Sequence, residues 1–132
     1  MNMINKRLEE LIEKYKITKT SNIIFGTNYI KPKLIIPTPW KPYIKYTELE
    51  TYFLFFNTLG ITIYKTDTTL YKKISWQDVT YFKVKKVLAA GNITIKTKTD
   101  TYKFQINRCV LASHNIRENT RYIEENNYFY NQ

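Results

Sequence analysis

The sequence predicts a mainly β fold with flanking helices: a seven-stranded antiparallel sheet bent into a barrel, preceded by one helix and closed by another. Three observations lead there. From Thr51 to Ile106, runs of alternating polarity reverse at Thr58-Leu59-Gly60, Thr66-Asp67-Thr68, Ala90-Gly91-Asn92 and Thr99-Asp100-Thr101, each short enough to be a hairpin turn. The opening residues instead repeat their apolar side chains at helical spacing. The chain of 132 residues, 43% hydrophobic and 16% aromatic with 12 Tyr and 7 Phe, fits one domain (1–132) with an aromatic core and lies far from the composition of disorder.

Taken in order, Met3–Tyr15 places Ile4, Leu8, Leu11, Ile12 and Tyr15 on one stripe, with Lys6, Arg7, Glu10, Glu13 and Lys14 around the rest. Asn2 or Asn5 can cap this helix, and Ile17, Thr18, Thr20 and Ser21 discourage its continuation, so helix and linker occupy 1–20. A polar loop containing Gly26 leads to the barrel, expected over 28–107. Its first strand is read at Tyr29–Ile36, at an edge because Pro32 has no N–H for a ladder. Pro37, Pro39 and Pro42 make the next stretch irregular and hold Trp40 on a stiff loop.

Six further strands are expected at about 51–57, 60–66, 69–75, 79–87, 92–98 and 101–107. The turn Ser75-Trp76-Gln77-Asp78 should carry its indole into a barrel end. Phe53, Phe55, Ile61, Ile63, Phe82, Val84, Ile93, Ile95, Tyr102, Phe104 and Ile106 are the expected core. A closing helix near His114–Asn127, within a block spanning 113–127, has Ser113 as N-cap and Ile116 and Ile123 on one side.

The wording of residues 51–127 resembles the bacterial pleckstrin-homology-like (PH/GRAM-like) domain family. The carrying segments are Thr51–Asn57 before a tight turn, Ile61–Tyr64, Lys73-Ile74-Ser75-Trp76-Gln77-Asp78-Val79, Leu88–Ile95 with its glycine turn, and Tyr102–Ile106. The resemblance implies a strongly bent seven-stranded antiparallel barrel whose C-terminal helix plugs one open end. The N-terminal helix and the Pro-rich loop are additions to that pattern. Phosphoinositide-binding relatives hold phosphates with lysine and arginine in the first hairpin. This chain departs from that signature: Lys31, Lys33, Lys41 and Lys45 are present there, but no Arg stands between Arg7 and Arg108.

The formal net charge is +10, and the middle of the chain owns the excess: residues 17–108 carry fifteen basic and five acidic groups. Such a field attracts nucleic acid, anionic lipid or an acidic protein. With Phe82, Val84, Ile93, Ile95, Tyr102 and Phe104 inward, period 2 turns Lys83, Lys85, Lys96, Lys98 and Lys103 outward as one anionic-surface patch. Lysines that merely keep sheet edges from pairing account for the same pattern. Trp40, Lys41 and Lys45 form a second candidate contact, a loop for a partner or a membrane interface.

Catalytic chemistry finds no constellation. Cys109 and His114 are the only cysteine and histidine, which rules out a four-ligand N/S zinc site and leaves the histidine with nothing to orient it. The carboxylate pairs Glu48/Glu50 and Glu124/Glu125 lie in flanking polar stretches, and no glycine-rich phosphate loop occurs. The expectation is a non-enzymatic protein without metal or cofactor. With one cysteine and no secretory pattern at the start, it is expected in the cytoplasm, peripheral at the inner face of the membrane if bound there. Three classes stay open: a PH-like module for an anionic membrane or a protein partner, including an accessory or immunity-type factor; a basic nucleic-acid binder stacking bases on Tyr64, Tyr71 or Tyr81; and a structural oligomer built through edge strands.

Overall fold

The computed structural model describes residues 3–28, 32–36, 43–46, 50–87, 90–107 and 114–130. Helix α1 (Met3–Tyr15) has the bounds its apolar stripe predicts, and a short 3-10 turn (Thr20–Asn22) leads into strand β1 (Ile23–Asn28). Then come β2 (Pro32–Ile36), β3 (Tyr43–Tyr46), β4 (Thr51–Asn57), β5 (Gly60–Lys65) and β6 (Leu70–Ser75). The turn Trp76–Asp78 leads to β7 (Val79–Val87), β8 (Ala90–Thr97), β9 (Thr101–Asn107) and helix α2 (His114–Glu125).

Seven strands form one antiparallel sheet in the order β6-β5-β4-β1-β9-β8-β7, with β2 and β3 as a separate hairpin. The sheet is not closed: β6 and β7 are its edges. Yet only the three-residue turn Trp76–Asp78 separates them, so the sheet must bend until its two edges meet at that corner. This is a PH-like bent sheet with a helix at each end of the chain.

Two sequence expectations need correction. The strand read at Tyr29–Ile36 is not the first strand of the main sheet; residues 32–36 pair with β3 instead, and 29–31 lie outside the described residues. The seventh strand is β1, in what looked like a polar loop, so the sheet begins at 23 rather than 28. Gly26 is there for closeness rather than for a turn. A Cβ at that position would stand 2.9 Å from Cδ1 of Leu54 and 3.5 Å from Cβ of Phe104, beside the place where β1 passes from pairing with β4 to pairing with β9.

The second correction concerns β4, whose two faces are both apolar. Tyr52, Leu54 and Phe56 point into the bend with Ile24, Ile61 and Ile63, whereas Phe53 and Phe55, expected there, face the other way. They meet Leu8 and Leu11 of α1, together with Ile23 and Phe25 of β1. A sheet face covered by a helix is a second core layer, and here it is confined to β1, β4 and β5. The remaining core positions hold: Ile61, Ile63, Ile93, Ile95, Phe104 and Ile106 are buried, with Phe82, Val84 and Tyr102 half-buried against them.

Helix α2 joins the two layers. Ile116 packs in the α1 layer and Ile123 in the bend, while Nδ2 of Asn119 donates to the carbonyls of Thr20 and Ile23 at 2.9 Å each. Past the helix, Asn127, Tyr128 and Phe129 adopt φ of 52°, 58° and 56°, a left-handed turn that costs non-glycine residues roughly 1–2 kcal/mol each. Burial offsets that cost. The Tyr128 ring lies 5.8 Å from Phe56 and 5.7 Å from Phe82, and Tyr130 lies 5.0 Å from both Trp76 and Phe82. Trp76 is buried at this end of the bent sheet, as its place in the sequence predicts.

Candidate functional site

Because α1 covers β1, β4 and β5, the outer face of β7, β8 and β9 is left to solvent, and its composition follows. These three strands carry five lysines and no acidic residue. The register arranges the outward side chains in cross-strand rows: Tyr81–Lys96–Thr101, then Lys83–Thr94–Lys103, then Lys85–Asn92–Gln105. Lys83, Lys85, Lys96 and Lys103 are all exposed, as period 2 requires. Lys86, out of phase with them, instead makes an ion pair with Glu124 of α2 at 3.4 Å.

The five lysines picked from the sequence do not form a single cluster. Lys83, Lys85 and Lys103 surround one depression of about 250 Å³ together with Asn92 and Thr94. Lys96 shares the face one row away, its ammonium 5.2 Å from the centre of the Tyr81 ring, which is 42% exposed. Lys98 lies beyond the ladder in the β8–β9 turn. It lines a different cleft of about 420 Å³ with Lys72 and Lys73 of β6 and the carboxylates Asp78 and Asp100. The second candidate loop cannot be placed in the same way: Trp40 and Lys41 lie outside the described residues, as does Cys109, and Lys45 belongs to β3 opposite Leu34.

Sequence reasoning missed Lys72. It stands opposite Ile63, in alternating phase with the buried Ile74, yet is itself exposed, and the bulge of β6 comes just before it, between the partners of Ile63 and Tyr64. Lys72 lines the same cleft as Tyr102. The Tyr102 pKa is raised above the usual 10.0, chiefly through burial; the Lys72 charge opposes the rise and Asp100 adds to it. Tyr64 is raised likewise, first by burial and then by the neighbouring Tyr15 ring at 4.7 Å.

These shifts fix a sign. Both phenols bind their proton more tightly folded than unfolded, so their contribution to stability is intact below pH 10 and is lost as pH rises from there through the folded-state values. Urea melts between pH 9 and 11 should show declining stability, with a shallower decline in Tyr64→Phe/Tyr102→Phe. Equal slopes in the two proteins would refute the assignment.

Among the described residues no helix is long and apolar enough to cross a membrane. The chain matches no protein-family model, and no curated protein is similar to it.

Proposed function

We propose that the chain is a non-catalytic PH-like interaction module that docks, through the outer face of β7–β9, on an anionic membrane surface at the cytoplasmic side. One observation carries this reading: three adjacent strands present four exposed lysines on one face, and no carboxylate in those strands offsets them. Edge protection alone would need charges on β7, the free edge. It gives no reason for Lys96 and Lys103, which lie on interior strands of the sheet. The family resemblance agrees with a binding role, and fold alone carries no ligand.

Lysines attract lipid phosphates as point charges, each contributing about 1 kcal/mol near an anionic surface. Co-sedimentation should therefore favour phosphatidylserine-containing vesicles over neutral ones and weaken as salt rises. Changing Lys83, Lys85, Lys96 and Lys103 singly to Gln should lower partitioning by about fivefold each. Equal binding to neutral vesicles, or binding indifferent to salt, would remove the reading. A second reading, single-stranded nucleic acid, draws on the exposed Tyr81 ring beside Lys96, the pairing of stacking surface and charge that such binding requires. A salt-sensitive oligonucleotide complex weakened by Tyr81→Ala would favour it.

A further inference from the structure

We infer that the depression between Lys83, Lys85 and Lys103 is a discrete site for a phosphate monoester, rather than part of a diffuse cationic surface. The inference rests on the anionic-surface reading and names the chemistry of the group received. The register builds the site. Lys83, Thr94 and Lys103 are direct cross-strand neighbours, and one row along stand Lys85, Asn92 and Gln105. Long cationic side chains thus rise from β7 and β9 on either side of two short polar ones on β8. The outer strands lie two strand spacings apart, roughly 10 Å, a gap that two lysine side chains can close on one oxyanion between them.

The floor supplies what a phosphate needs besides charge: the Thr94 hydroxyl and the Asn92 amide can donate to its oxygens. At about 250 Å³ the depression is smaller than the pockets that take drug-sized ligands, so it suits a headgroup or a free phosphate. No carboxylate is among its described lining residues. The larger cleft is different, because Asp78 and Asp100 there offset two of its three lysines. A monoester matters because its charge of about −1.5 to −2 and three free acceptor oxygens match a depression lined by three lysines better than a singly charged diester does.

The test compares sources of the same chemistry at constant ionic strength. The full chain is titrated with inorganic phosphate and followed by amide NMR, then sedimented with vesicles containing phosphatidic acid or phosphatidylserine at matched surface charge. Expected are saturable shifts centred on Asn92, Thr94 and Lys103. A severalfold preference for phosphatidic acid would assign the site to a lipid headgroup, and saturation by free phosphate without that preference to a soluble ligand.

Thr94→Ile keeps every charge but fills the floor, and should abolish phosphate saturation and any phosphatidic-acid preference while leaving adhesion to phosphatidylserine. Lys83→Gln/Lys103→Gln should also abolish phosphate saturation and any phosphatidic-acid preference with the floor intact, and should in addition weaken adhesion to phosphatidylserine by about twenty-five-fold, as the loss of two surface charges requires. The inference is overturned if phosphate causes only the linear shifts that chloride causes and phosphatidic acid gains no advantage, or if Thr94→Ile changes neither readout in a folded protein. Retained adhesion to phosphatidylserine would then leave the broader reading standing, whereas loss of all anionic adhesion in the unmodified chain would remove both.

Discussion

Gly60→Ala is expected to destabilise the protein by about 3 kcal/mol or more, because the added methyl meets backbone that has nowhere to go. An ideal Cβ on Gly60 falls 2.0 Å from the Ile74 carbonyl oxygen and 2.9 Å from its carbon. That carbonyl belongs to β6, which pairs with β5 at this very point, Gly60 opposite Ser75. The turn before it is equally committed: Oδ1 of Asn57 accepts from the amides of Leu59 at 2.8 Å and Gly60 at 3.1 Å, and the Leu59 carbonyl accepts from the Trp76 amide at 3.0 Å. Relief would have to part β6 from β5 and disturb the corner where the sheet edges meet. Urea unfolding measures the loss. A change below about 1 kcal/mol would mean that this corner is far more yielding than its geometry implies.

Trp76→Ala should lose about 3–5 kcal/mol, the range for deleting a large buried aromatic. The indole is 7% exposed, lies edge-on to Phe82 at 5.3 Å and packs on Tyr130, and its Nε1 donates to the Asn57 carbonyl at 2.8 Å. Its removal would leave a cavity and an unpaired carbonyl at the one place where β6, β7 and the C-terminal plug converge. Trp76→Phe separates the two effects. It keeps most of the packing, so its cost should fall to about 1–2 kcal/mol, the scale of a buried acceptor left unpaired. If Trp76→Ala unfolded with a loss under about 1.5 kcal/mol, the plug would not be holding this end.

How far the sequence could be read depended on whether each element has one buried face or two. Helix α1 and strands β7–β9 bury a single face, so their apolar residues recur at one period, and both bounds and facing follow from that period. The lysine face was legible for the same reason. Tyr52-Phe53-Leu54-Phe55-Phe56 has no polar phase, because the bend buries one face and α1 the other. Choosing Phe53 and Phe55 as inward was then arbitrary.

Strand β1 was hidden by Gly26, which in an isolated sequence signals a turn and in the structure marks close approach of Leu54. In β6 Lys72 keeps the phase of Ile74 but stays exposed, and alternation along one strand does not foretell the cleft it shares with Lys98 of the β8–β9 turn. The grouping of Lys83, Lys85 and Lys103 around Thr94 needed strand adjacency as well as facing. Lys98 fell away because the ladder ends one residue before it.

The position of β1 has a consequence for the order in which the chain can be assembled. It is the first strand in sequence and the middle strand of the sheet, with β4, β5 and β6 on one side and β9, β8 and β7 on the other. Each flanking trio is joined by short turns and needs only local partners. Strand β1 has none: its five pairings with β4 wait for residues 51–55, and its two with β9 wait for residues 104 and 105. During synthesis, then, the segment made earliest must stay unpaired on its β9 side until nearly four-fifths of the 132 residues exist. Closing so long a loop is slow, so two locally formed meanders should precede the union that gives the protein its seven-stranded sheet.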